Sequence, residues 1–267
     1  MKRLYRIFRV LFLLALVSPL GLAWLPADRL PFALDLRLDP AFLTVLQSSF
    51  RQLSITLAAT LALATMLTVI LGYVSVLSQR FGRSGASILK AVESVPAILV
   101  ALFCYAPVSG YLARHSSGAS EAMSLIVFIL AATLTMLPEA VRGVAIPLGE
   151  LYHRKYSLSF RSYGFPKGRI LAVLMGSRAM RGTLKRIAAG ILQKTLVLDC
   201  SFGFIIQLGF GSYGTPAHAS PGALIAANRD ALFEGGTPAL FWLPSLLLVA
   251  ISTSFLLTLG EREETMA

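Results

Sequence analysis

Charge is the scarcest property of this chain. Only 14% of its 267 residues are Asp, Glu, Lys or Arg, whereas a soluble domain carries about 25%. Too little polar surface remains to cover a water-exposed globule of this size. Cysteine is nearly absent as well. Cys104 and Cys200 stand far apart, with no C-x-x-C spacing and no adjacent His, so a disulfide framework is excluded and buried free thiols are expected. The three histidines, His115, His153 and His218, fall in separate connecting stretches, so no metal cluster is expected. There is no H-E-x-x-H, no assembled Ser-His-Asp set and no carboxylate pair placed for acid–base work, so neither enzyme activity nor a cofactor is expected. No G-x-x-x-x-G-K-[ST] loop occurs, so the chain cannot cradle nucleotide phosphates in that way. Internal repeats and low-complexity tracts are also missing.

What is present is apolar. Hydrophobic residues make up 56% of the chain, and they come in runs. About 20 apolar residues cross a bilayer as a helix, at 1.5 Å per residue through roughly 30 Å of hydrocarbon. Six stretches qualify or nearly do: 10–25, 53–77, 92–112, 122–141, 187–207 and 239–259. The expectation is a single all-α, polytopic membrane domain over 1–267, embedded in lipid. The first stretch follows a basic head (Lys2, Arg3, Arg6, Arg9) and has signal-peptide length. Trp24 and Leu25 spoil a small-x-small cleavage site, so 1–25 is read as an uncleaved helix.

The formal charge of +11 invites a nucleic-acid reading, but the basic residues sit at the ends of apolar runs. That is topology rather than a phosphate-binding patch, and no nucleic-acid partner is expected. With the N-terminus inside, the inner segments hold 18 Lys and Arg and the outer segments five, with Lys194 inside a span. Both termini are therefore expected in the cytoplasm.

The connections differ in kind. Residues 26–52 read as an outer loop with a short surface helix. A second outer loop over 209–238 is rich in Gly, Ser and Pro. The inner connection 142–186 is the longest and carries ten of the basic residues. Its punctuation (Pro147, Gly149, Gly164, Pro166, Gly168) predicts short helices separated by turns. Within it, 156–164 combines aromatic and apolar residues with a terminal Gly, as a short amphipathic helix does. Two roles are open to such a helix: docking into a cytosolic partner, or lying on the headgroups.

Ionisable groups within the spans point to function, because burial in lipid is costly. Lys194 and Asp199 lie five residues apart in the fifth span. They point about 140° apart on a helix, so they do not pair along one face. Lys194 lies about 10 Å from the inner end of its span and can snorkel. Asp199 is too deep and too short for that. It has two roles open to it, structural hydrogen bonding or contact with a solute. Glu93 and Glu139, near the inner ends of their spans, are expected to snorkel or to pair with a loop Arg. The run Gly209-Phe-Gly211-Ser-Tyr-Gly214 satisfies G-x-G-x-x-G, but it ends a helical span and precedes Pro216, so a loop is expected there and not a dinucleotide site.

The stretch 156–171 resembles the cytoplasmic coupling loop of ABC-importer permeases, most closely the dipeptide, oligopeptide and nickel permease branch. In that branch the loop runs approximately Y-V-E-A-A-R-A-L-G, then R-I-I after a four-residue gap. Tyr156, Arg161, Gly164 and Arg169-Ile170-Leu171 stand at matching spacing. Leu158 takes the Glu position, Ser159 and Phe160 the two Ala positions, and Gly176-Ser177 replaces the usual Leu-Pro. Leu198-Asp199-Cys200-Ser201-Phe202-Gly203-Phe204 resembles the branch's A-E-A-S-L-S-F. Gly222, Asn228-Arg229-Asp230 and Leu232 resemble its G-N-M-L-x-x-G-R-D-Y-L. The exit of the last span, 255–261, fits as well, and the similarity covers about 50–263. The branch's G-T-D-x-x-G-R-D element before the second span is missing.

The resemblance implies a type I importer fold with six transmembrane helices: an N-terminal helix at 1–25, a permease core at 50–263 and a coupling loop at 142–186. Two permease subunits would form the path in the bacterial inner membrane. Two cytosolic ATP-binding subunits would drive it, and an external solute-binding protein would deliver a peptide, metal chelate or polyamine. Tyr156, Leu158, Phe160, Arg161, Tyr163, Gly164 and Arg169 would meet the ATPase. Lys194 and Asp199 would line the path. Asn228, Arg229 and Asp230 would contact the binding protein or close the outer gate.

Overall fold

The computed structural model describes residues 2–25, 39–78, 87, 91–114, 120–205, 220–233 and 237–260. All regular structure among them is helical. The main elements are α1 (Lys2–Leu22), α2 (Pro40–Leu77), α3 (Ala97–Arg114), α4 (Ser120–His153), α5 (Lys155–Ser162), α6 (Lys167–Met175), α7 (Arg178–Ile205), α8 (Pro221–Ala227) and α9 (Ala239–Gly260), with a 3₁₀ turn over Arg229–Leu232. The chain is a multi-pass membrane protein by length and hydropathy. Four helical stretches are long and apolar enough to cross a bilayer: Pro40–Leu77, Leu125–His153, Arg178–Ile205 and Ala239–Leu257. The other two expected spans fall on α1, whose apolar part Leu11–Leu22 is shorter, and on α3, many of whose side chains lie outside the described set.

Three helices run longer than the hydropathy pattern implied. The outer loop expected at 26–52 is helical from Pro40 onward. Asp39 caps this end by accepting a hydrogen bond from the Ala41 amide at 3.0 Å, and Pro40 sits in the first turn, where its missing N–H costs nothing. The expected loop rests on the three Asp and three Arg of 26–52. Leu43, Leu46, Phe50, Leu53 and Leu57 nevertheless recur at helical spacing and are all buried. The inner connection expected from 142 is helical through His153, despite Pro138 and Pro147. Val144, Leu148 and Leu151 carry the buried face onward at three- and four-residue steps. Residues 178–186, expected in the same connection, form the first turns of α7.

α2, α4 and α7 form the centre of the bundle, and α2 with α4 is its largest contact. Small residues run along α2 where it is buried: Thr56, Thr60, Ala64, Thr68 and Gly72 recur every four residues, and of these Ala64 clusters with Phe128, Ala131 and Ala132 of α4 while Gly72 meets Val144. Association between helices in lipid relies on close van der Waals packing, which such a stripe permits. A Cβ at Gly72 would lie 2.7 Å from Val144 Cγ1.

α3 packs on α4 and α7 through a ring cluster. Tyr105 meets Phe202 edge-on at 5.1 Å, and Phe128 lies 5.0 Å from the same ring. α1 and α9 pack together beside α2 around Phe50, Leu53 and Ile251. α8 lies directly on α7, so close that a Cβ at Gly222 would fall 1.8 Å from the Cys200 carbonyl oxygen.

Candidate functional site

Two regions bring polar and exposed apolar chemistry together. The first is the hairpin α5–α6. Helix α5 ends in a motif whose every part can be traced to sequence. Gly164 has φ +78°, the left-handed region that favours glycine. Its amide donates to the Arg161 carbonyl at 2.9 Å, and the Phe165 amide donates to the Phe160 carbonyl at 3.2 Å. These are the two bonds of a Schellman cap. The apolar contact that accompanies such a cap is Phe160 against Phe165, with ring centroids 6.0 Å apart.

The hairpin is tied to the bundle from both sides. Arg161 donates to the Tyr152 carbonyl at 2.5 Å, and its guanidinium lies 3.7 Å from that residue's ring centroid. The buried Ser157 hydroxyl donates to the Leu151 carbonyl at 2.9 Å. The Lys167 ammonium donates to the Val76 and Leu77 carbonyls at 2.5 and 3.1 Å, neutralising the C-terminal end of α2. The Tyr73 hydroxyl donates to the Gly168 carbonyl at 3.0 Å. Ile170, Leu171 and Leu174 fill the core beneath, against Val144, Leu148 and Met180.

The opposite face is open. Tyr156, Leu158, Phe160, Tyr163 and Phe165 are exposed, Tyr163 by 80%. Arg169 stacks over Phe165 at 5.2 Å and helps line a hollow of about 210 Å³ with Phe160, Phe165, Ile170 and Val173. The seven residues expected to meet a cytosolic partner thus lie in one hairpin. Arg161 turns inward to brace it, and the others lie on its exposed side.

The second region is a flank of α3, α4 and α7. Lys194 on α7 pairs with Glu139 on α4, and Arg142 on α4 pairs with Glu93 just before α3. Glu93 and Glu139 were each expected to snorkel or to pair with a loop Arg: Glu93 meets Arg142, which lies in α4, and Glu139 meets Lys194 of α7, while both keep much of their side-chain surface open. Two hollows of about 520 and 540 Å³ adjoin the Glu139–Lys194 pair. Asp199 lines neither and is 1% exposed, so the structure does not bring it to Lys194. Gln193, Gly190 and Ser201 also line these hollows and were not singled out from sequence. A wheel of α7 finds them, because Gly190, Gln193, Val197 and Ser201 recur at three- and four-residue steps, with Lys194 beside Gln193.

After α8, the Asn228 side chain donates to the Leu224 carbonyl at 2.8 Å and closes that helix. Arg229 and Asp230 are exposed and pair at 3.4 Å. Residues 209–214 and the histidines 115 and 218 lie outside the described residues. No group of three or more metal-ligating side chains occurs among those described. No protein-family model matches the chain, and no curated protein matches it.

Proposed function

We propose that the chain is the permease subunit of an ATP-driven ABC importer, forming half of a translocation path for a peptide or similar small solute across the bacterial inner membrane. In this reading it has the six spans of a type I importer, with both termini in the cytoplasm. A second permease subunit covers the flank of α3, α4 and α7. Two cytosolic ATP-binding subunits engage the α5–α6 hairpin, and an external binding protein delivers solute near Asn228, Arg229 and Asp230.

One observation carries the reading. In the most basic connection of the chain, a capped two-helix hairpin presents exposed aromatic side chains around a small hollow, while hydrogen bonds fasten its back to α2 and α4. A helix that merely anchored topology would need the charges but not the cap, the socket or the bracing. The spacing of Tyr156, Arg161, Gly164 and Arg169 agrees with the coupling loop that the sequence resembles.

Affinity purification of the full chain in mild detergent tests this. Two nucleotide-binding polypeptides and a second permease should come down with it, and substituting Leu158 and Tyr163 by Glu should release the ATPases while retaining the other permease. Purification of the chain alone, with no ATPase recovered after cross-linking at position 158, would remove the proposal.

A further inference from the structure

The two flank hollows meet at a shared waist. Met136, Glu139, Gln193 and Lys194 line both. From Thr183 to Ser201 they follow α7 for about 27 Å. We infer that this flank is a water-filled groove with a charge-balanced waist, which admits solutes of zero net charge in preference to ions. The passage of a solute rests on the transport reading above; hydration and charge balance do not.

Three observations support it. First, Glu139 and Lys194 keep 65% and 49% of their side-chain surface open, and Glu93 and Arg142 keep 43% and 44%. Ionised groups left this open within an apolar helix bundle are far costlier against hydrocarbon than against water. Second, Gln193 faces both hollows. Its Nε2 donates to Ser252 Oγ at 2.8 Å, so an uncharged amide lies beside the Glu139–Lys194 pair where the two hollows join. Third, the charges cancel pairwise. Glu93 faces Arg142 and Glu139 faces Lys194, while the remaining cation, Arg186, lines only the first hollow. A solute with net charge would leave that charge uncompensated at the waist. A neutral or zwitterionic one would not, because its own groups can exchange partners with Glu139 and Lys194.

Thiol labelling of the full chain in native membranes tests this. Cys104 and Cys200 are replaced by Ala, and single cysteines are introduced by Gly190→Cys, where an added Cβ meets nothing within 4 Å, or by Ser201→Cys. Leu246→Cys, on the exposed apolar side of α9, is the lipid control. The probes are a cationic trimethylammonium-ethyl and an anionic sulfonato-ethyl methanethiosulfonate, with rates normalised to a free thiol.

Both groove positions should label far faster than the control, Ser201→Cys at near-equal rates for the two reagents and Gly190→Cys, one turn from Arg186, faster with the anionic one. Lys194→Gln should tilt the ratio at each position about tenfold toward the cationic reagent, Glu139→Gln about tenfold toward the anionic one, and the double variant should restore the starting ratio. Labelling as slow as at Leu246→Cys, or a ratio that both single variants move by less than about twofold, overturns the inference. Loss of the ATPases in the purification above would leave these rates as they are, so the two readings fail separately.

Discussion

Gly164 has a role that can be isolated from its surroundings. An added Cβ there meets nothing within 4 Å, so the whole cost of substitution lies in the backbone, held at φ +78°. Gly164→Ala should destabilise the hairpin by about 1 kcal/mol, and Gly164→Asn by clearly less, since Asn tolerates the left-handed region. Proteolysis rates within 154–166 should rise from Gly164→Asn to Gly164→Ala, and a β-branched Val should exceed both. In the importer reading, the Val variant should also hydrolyse ATP without matching uptake.

This glycine was legible in the sequence because a stop after an amphipathic stretch is a local signal. The division of labour between Lys194 and Asp199 was only half legible. Helical geometry separated their directions, but the partner of Lys194 is Glu139, 55 residues away, and no local pattern specifies a contact between two helices.

The long helices were legible as apolar runs and their ends were not, while α8 stands inside the stretch 209–238 that was expected to be a loop. Hydropathy marks where lipid begins, whereas helices stop where capping and packing stop. That is why α2 extends back to Asp39 and α4 forward to His153. The signals that could have placed these ends, Asp-Pro at 39–40 and the buried steps at 144, 148 and 151, are weaker than the polarity surrounding them.

The four-residue stripe on α2 yields a prediction about packing. Ala64 is fully buried between Thr60 and Thr68, so Ala64→Leu should overpack the α2–α4 seam and cost about 1–3 kcal/mol. Ser220→Ala should be milder, at about 1 kcal/mol, since it removes only the cap that accepts from the Ala223 amide at 3.3 Å. Thermal unfolding midpoints in one detergent would rank the two. A larger drop for Ser220→Ala would contradict the seam.

At the scale of the whole molecule, membrane character was the most legible property. Composition and run length alone excluded a soluble domain, and the helices agree. Orientation depends on the excess of Lys and Arg in alternate connections, and it makes a direct prediction. A single cysteine at Tyr156, in the chain cleared of Cys104 and Cys200, should react with a membrane-impermeant reagent in inverted vesicles and stay protected in intact cells. The reverse pattern would place the α5–α6 hairpin outside and end the importer reading with it.

The bonds from Tyr73 to Gly168 and from Lys167 to the last carbonyls of α2 have a mechanical consequence. With 38 residues, α2 is a rod about 57 Å long. In the importer reading, a partner that rocked the hairpin would turn this rod about its attached end. A tilt of about 5° about that end would carry the far end, near Asp39, through about 5 Å. Motion begun at the hairpin would thus reach the far end of α2 through a single unbroken helix, with no relay of side chains in between.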